Sequence, residues 1–136
     1  MGVGMLDTST VILLGRIADP ATLPDQSVIS AITLAELSVG PQIAADRAES
    51  AARQAHLQQA ENDFDAIAFD AAAAARAFGT VAMALRSAGR KRAARAYDAL
   101  IAATAIANGL PLYTCNPEDF EGIPALDLHS VPHPDR

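Results

Sequence analysis

The sequence predicts an α/β protein built on a small, mostly parallel sheet of four or five strands with helices on both faces. Three observations carry that reading. Short apolar runs of strand length alternate with helical stretches along the whole chain. A helix separates most successive runs, and a crossover of that kind joins parallel strands and lays its helix on the sheet. Apolar residues make up 51% of the chain, charged residues 19% and aromatics 4%, without tryptophan, so the interior is aliphatic and alanine-rich in the globular range.

The elements follow in order. Val3 to Leu6 is the first strand, and Asp7-Thr8-Ser9 turns it into a helix over residues 10–17 with Ser9 as cap. Pro20, Pro24 and Asp25 mark a loop before a second strand at 27–30 and a helix at 33–39, which contains Glu36 and stops at Gly40-Pro41. Residues 43–62 are rich in Ala, Gln, Glu and Arg, with apolar positions too small and sparse for a deep core, which predicts a long solvent-facing helix. A third strand covers 66–69, and Asp70 caps a helix running through the alanines 71–75 to Leu85, before Gly89 breaks it. Residues 93–108 form the next helix, closed by a left-handed Asn108-Gly109 cap. Strand four spans 110–114, residues 117–120 make one turn and 126–128 a fifth strand. We expect a single domain over residues 1–136, with the proline-containing tail from about 130 to 136 frayed.

Composition excludes several function classes. Cys115 is the sole cysteine, so no intrachain disulfide and no close Cys/His zinc set is present, and a reducing cytoplasm is the expected compartment. Apolar stretches such as 10–14 and 100–107 fall well short of the ~20 residues a membrane helix needs, and the N-terminus lacks the pattern of a secretory signal. A net charge of -6 argues against indiscriminate nucleic-acid binding. The distribution is uneven, however: Arg86, Arg90, Lys91, Arg92 and Arg95 gather five of the ten basic residues before one helix.

Two acids share an address at the carboxyl edge of the sheet, where open α/β folds place their sites: Asp7 follows strand one and Asp119 follows strand four. Glu36 and Asp98 reach the same edge from early positions in their helices. Asp98 heads a helix whose residues 100–107 leave almost no polar face, and a helix apolar all round is buried. Carboxylates buried together repel one another and lose hydration, so they take up protons or bind a cation, and magnesium or manganese with their oxygen ligands suit acids drawn from separate segments. Taken singly, each acid has a plainer reading. Asp98 answers a helix dipole, Glu36 is a solvated helix former, Asp7 binds turn amides, and Asp119 faces water beside Glu118 and Glu121. The joint arrangement is what points to a metal.

Four stretches in this order, 5–9 (MLDTS), 30–37 (SAITLAEL), 97–105 (YDALIAATA) and 112–124 (LYTCNPEDFEGIP), resemble the PIN-domain ribonucleases, and specifically the VapC-type toxins of bacterial toxin–antitoxin pairs. The resemblance spans nearly the whole chain. It implies a three-layer α/β/α sandwich and makes Asp7, Glu36 and Asp98 the principal metal-binding acids, with Asp119 the more variable fourth. Thr8, Ser9, Thr114 and Asn116 then orient carboxylates or water from the edge. It also implies dependence on Mg2+ or Mn2+, an RNA substrate, a homodimer and inhibition by a VapB-type antitoxin whose basic side chain enters the acidic pocket. Cys115 departs from the basic residue that family members often carry there, which puts a substrate contact from that position in doubt.

The reading is therefore a metal-dependent ribonuclease toxin that cuts single-stranded or loop RNA, a transfer RNA being one candidate. The basic cluster either tracks flanking phosphates or answers helix dipoles. Residues 33–39 and 43–57 are candidate walls of an antitoxin groove, or ordinary packing and dimer surfaces. Two other classes stay open. A catalytically silent PIN module retains all the acids without turnover, and a receiver-like phosphoacceptor domain needs a lysine after its last strand, whereas the sole lysine, Lys91, precedes the fourth. His56 in the polar helix and His129 and His133 near the end are poor candidates for catalysis, since Pro132 rules out a helical metal pair.

Overall fold

Alternation of side chains along the strands sets the architecture. In the computed structural model, which describes residues 2–89 and 92–136, five parallel strands lie in the order β3-β2-β1-β4-β5: β1 (Val3–Leu6), β2 (Gln26–Ser30), β3 (Asp65–Ile67), β4 (Leu112–Thr114) and β5 (Leu128–Ser130). Met5 pairs with Val28 and Leu112, while Leu6 pairs with Ile29 and Tyr113. Because successive side chains point to opposite faces, the two rows feed two cores.

Met5, Val28 and Leu112 pack with Val81 and Leu85 of α5 (Gly79–Ser87) and Ile101, Ala102 and Ala105 of α6 (Arg92–Ala107). Leu6 and Ile29 pack on the other side with Val11 of α1 (Thr8–Leu13), Leu37 of α2 (Ala31–Val39) and Ala60 of α3 (Arg47–Asp63). The result is the helix, sheet, helix sandwich expected. Each fully buried leucine or isoleucine contributes about 1.5–3 kcal/mol, and alanines in α6 let that helix lie close to the sheet. Gly4 serves the same closeness in β1, where a Cβ would stand 2.5 Å from the Tyr113 ring.

The order of strands also locates the site. The chain starts in the centre, winds outward through β2 and β3, then returns to the other side of β1 for β4 and β5. The direction of winding reverses at the carboxyl end of β1, the crevice where such sheets bind ligands. Asp7 is the first residue beyond that strand.

Several expected boundaries shift. The first helix starts at Thr8 and its cap is Asp7, not Ser9: the Asp7 carboxylate accepts the Thr10 amide, and the helix tightens into a 3-10 turn at Leu14–Arg16. Ser30 caps α2, which therefore begins at Ala31. The long polar helix starts at Arg47, not 43, because Asp46 accepts the Glu49 amide while Glu49 accepts the Ala45 amide, a capping arrangement that fixes the start. After the expected Asp70 cap, the alanine stretch forms α4 (Ala71–Ala73) and a π-helical segment (Ala74–Phe78) before α5. Gly109, with φ of +63°, closes α6 as the sequence indicates.

The tail is not frayed. Ala125, with φ of +65°, turns the chain so that β5 begins at Leu128, later than 126. Val131 is buried and donates its amide to the Thr114 carbonyl at 2.8 Å, Asp135 pairs with Arg16, and Arg136 pairs with Glu118 at 3.0 Å. These long-range partners hold an end that local composition marks as loose. Among the described residues no helix is long and apolar enough to cross a membrane.

Candidate metal centre

The geometry around Asp7 is a closed set of hydrogen bonds. Asp7 is only 4% exposed, and its Oδ1 accepts the Thr10 amide at 3.1 Å and the Thr10 hydroxyl, while its Oδ2 accepts the Ser9 and Thr114 hydroxyls, each at 2.9 Å. These four donors use about all the lone-pair directions a carboxylate offers.

Each hydroxyl is in turn loaded from behind. Asn116 Nδ2 donates to Ser9 Oγ at 3.0 Å, the Asn116 amide to Thr114 Oγ1 at 2.9 Å and the Cys115 amide to Thr10 Oγ1 at 3.0 Å. A hydroxyl that accepts from an N–H has its single proton free to aim elsewhere, so the exit of β4 points three protons at one carboxylate. The sequence indicated Ser9, Thr114 and Asn116 but not Thr10. Its position three residues after the capping aspartate was the signal.

Glu36 is the second acid brought to this end. It lies half-buried in the second turn of α2, and Thr8 Oγ1 stands 2.7 Å from its Oε1 and 3.0 Å from Thr33 Oγ1. Thr8 has one proton, so it donates to Glu36 and accepts from the buried Thr33. Thr33, three residues before Glu36 on the same helical face, is another residue that sequence reading missed. Burial raises the Glu36 pKa, the Thr8 hydrogen bond opposes the rise, and the Asp7 charge adds to it.

Asp98 is half-buried in the second turn of α6, a helix that packs on α2 and β2, and Asp119 is half-buried at the end of the 3-10 turn Pro117–Asp119 that follows β4. Among the described residues no three His, Cys, Asp or Glu side chains stand close enough to form a metal-holding group by themselves. Asp7 and Glu36 are linked through Thr8, the residue after Asp7, whose hydroxyl binds the Glu36 carboxylate. Of the basic cluster, Arg86 is exposed in the last turn of α5 and Arg95 is half-buried in the first turn of α6. Arg92 opens α6, and Arg90 and Lys91 lie outside the described residues.

One of two neighbouring cavities opens at this end. That one, of about 360 Å³, is bordered by Thr8, Ile12, Glu36, Gly40, Arg53 and His56; the other, of about 390 Å³, runs between α1 and α3 past Val11, Ala60 and Phe64. Ile12 and His56 border both. His56, unpromising in the sequence, thus faces the space beside Glu36, whereas His129 stacks on Tyr113 with centroids 4.6 Å apart and pairs with Asp127. Cys115 is buried, and that burial pushes its thiol pKa up, with the Thr10 hydrogen bond opposing and the Asp7 charge adding.

Comparison with known proteins agrees with this architecture. The PIN domain family model matches residues 5–126. Ribonuclease VapC5 of Mycobacterium tuberculosis (strain ATCC 25618 / H37Rv) is 36% identical over 122 residues, covering 88% of this chain and 87% of that protein. The crystal structure of VapBC-5 from Mycobacterium tuberculosis, a member of the VapBC family of toxin-antitoxin systems, aligns with a TM-score of 0.77 at 31% identity over 96% of this chain and 100% of that one. VapBC2 from Rickettsia felis, bound to a DNA fragment from its promoter, aligns at 0.74 with 26% identity over 95% and 98% of the two chains. With a sheet wound about β1, acids at its carboxyl end and a family match over most of its length, the chain belongs to the PIN-domain family.

Proposed function

We propose that this protein is a Mg2+- or Mn2+-dependent ribonuclease and the toxin of a toxin–antitoxin pair. The observation that carries the reading is the buried Asp7 carboxylate at the point where the sheet reverses its winding, with Glu36 held by the hydroxyl of the next residue, Thr8. The donor set fits a hard divalent ion: it is made of carboxylate and hydroxyl oxygens, and the burial that raises the Glu36 pKa, with the Asp7 charge adding to it, is offset by a cation. Asp7, Glu36 and Asp98 would hold it, with Asp119 as the fourth acid.

When bound, such an ion supplies charge stabilisation at the scissile phosphate and acidifies a water for in-line attack. The remaining work belongs to the chain. Thr10 and Thr114, both fully buried, keep the Asp7 carboxylate from turning, and Thr8 holds Glu36 beside it. Of the donors to Asp7, Ser9 is half-buried whereas Thr10 and Thr114 are fully buried, so the Ser9 hydroxyl is the one that would yield to a bound cation. Asn116 sets the direction of Ser9 and Thr114. Asn116→Ala is expected to lower kcat about 10- to 100-fold, the usual cost of removing a ligand's support, and steady-state cleavage of a fluorescent RNA checks this.

The basic cluster 86–95 is assigned to flanking phosphates, and loop shape to substrate choice, since aromatic residues for stacking are few. A VapB-type antitoxin is assigned to the trench between α1 and α3, where Ile12 is 55% exposed, with exposed Val39 and Ile43 flanking Gly40 of the adjoining cavity. A basic side chain from that partner then reaches Glu36 from the adjoining cavity. The deciding assay incubates the protein with folded transfer RNA and its unfolded form, with Mg2+, Mn2+ or EDTA. Cleavage in loops only when metal is present is expected. Absence of cleavage with either ion favours a silent module, and cleavage indifferent to RNA folding contradicts the substrate reading.

A further inference from the structure

We infer that Arg53, on the polar helix α3, is a phosphate-binding residue of this site and holds a backbone phosphate of the RNA beside the one that is cut. The inference rests on the ribonuclease reading and adds a residue outside the basic cluster 86–95. Arg53 borders the same cavity as Glu36 and Thr8, so a cation and a carboxylate share one space at the carboxyl end of the sheet.

Its side chain is unusually well anchored for an arginine on a solvent-facing helix. The stem lies over Gly40, where an added Cβ would stand 3.2 Å from Arg53 Cδ and 3.7 Å from its Cγ. Nη1 donates to the Gly40 carbonyl at 3.0 Å, and Nη2 pairs with Glu49 one turn earlier on α3. Two of the five N–H donors of the guanidinium are thereby used and three remain, on a side chain that is 40% exposed.

A staple between α3 and the turn after α2 does not require this arginine. Ser50 already makes that connection through the Pro41 carbonyl at 2.9 Å. A pre-oriented guanidinium with spare donors is what bidentate phosphate binding needs, because the freedom of a long side chain has been lost before substrate arrives. Its partner Glu49 is itself partly exposed, so the pair is screened and leaves the remaining donors active toward an anion.

The test compares wild type, Arg53→Gln, Arg53→Lys and a control, Arg76→Gln, on one RNA across a range of salt concentrations. For Arg53→Gln, KM is expected to rise roughly tenfold with kcat within about twofold, and the slope of log(1/KM) against log salt to fall by about 0.7, the share of one single-strand phosphate contact. Arg53→Lys keeps the charge, so it retains the slope with an intermediate KM, and it reports even where the glutamine variant folds poorly. Arg76→Gln leaves both quantities unchanged. If wild type cleaves RNA while both Arg53 variants keep its KM and salt slope, or lose only kcat and thermal stability, the phosphate role is overturned and the ribonuclease reading stands. If wild type cleaves no RNA with any divalent ion, both readings fall.

Discussion

Glu36→Gln is expected to abolish metal-dependent cleavage, by at least about 100-fold, while leaving the metal-free protein as stable as wild type at pH 7 or more so. The two effects have one cause. Burial and the nearby Asp7 charge raise the Glu36 pKa in the folded protein, so the ionised form is disfavoured there relative to the unfolded chain. Between the ordinary glutamate value and the raised one, the native state holds more protons than the unfolded state, and stability falls as pH rises through that window. The cost is fully present above the raised pKa and absent below the ordinary one. Glutamine keeps an oxygen to accept the Thr8 hydroxyl and removes the charge, and with it this part of the pH slope. Thermal denaturation of both proteins in EDTA between pH 4 and pH 8 measures the difference. A Tm for the variant well below wild type at pH 7 contradicts the assignment of Glu36 as a strained acid awaiting a cation.

Asp98→Asn is expected to lower Mg2+-dependent cleavage by roughly 10²–10³-fold. A metal supplies several kcal/mol of charge stabilisation to phosphoryl chemistry, each tenfold in rate is about 1.4 kcal/mol, and losing one anionic ligand forfeits a large part of that. The substitution preserves shape on a helix whose buried residues Ala99, Ile101, Ala102 and Ala105 are untouched, so the fold is expected to survive. Circular dichroism and the Mg2+ dependence of the rate separate folding from binding. A variant that folds, cleaves and needs no more Mg2+ than wild type removes Asp98 from the site.

Much of this fold was legible because its signals are local. The short runs at residues 3–6 and 27–30, the Asp70 cap and the Gly109 stop depend on a few neighbouring residues, and the structure retains them. The place of Asp7 followed from its position just after the first strand and the habits of parallel sheets. Long-range pairing was not legible. The last strand sits later than its apolar residues suggested, and the tail is held by Arg16 and Thr114 from distant segments. Hydroxyl chemistry was only half legible: Thr10 and Thr33 look like filler in a helix, and their value appears only when Asp7, Thr8 and Cys115 stand around them. Arg53 was hidden for the opposite reason, because a polar helix conceals one arginine that is fixed over Gly40 among others that are solvated.

Acids distant in sequence are proposed to share a divalent cation at the carboxyl end of β1. Diffraction from crystals grown with Mn2+, recorded where manganese scatters anomalously, addresses it directly. One or two anomalous peaks are expected, with carboxylate oxygens of Asp7, Glu36 and Asp98 at about 2.1 Å. Manganese bound elsewhere, or no peak at this edge at Mn2+ concentrations that support cleavage, would contradict it.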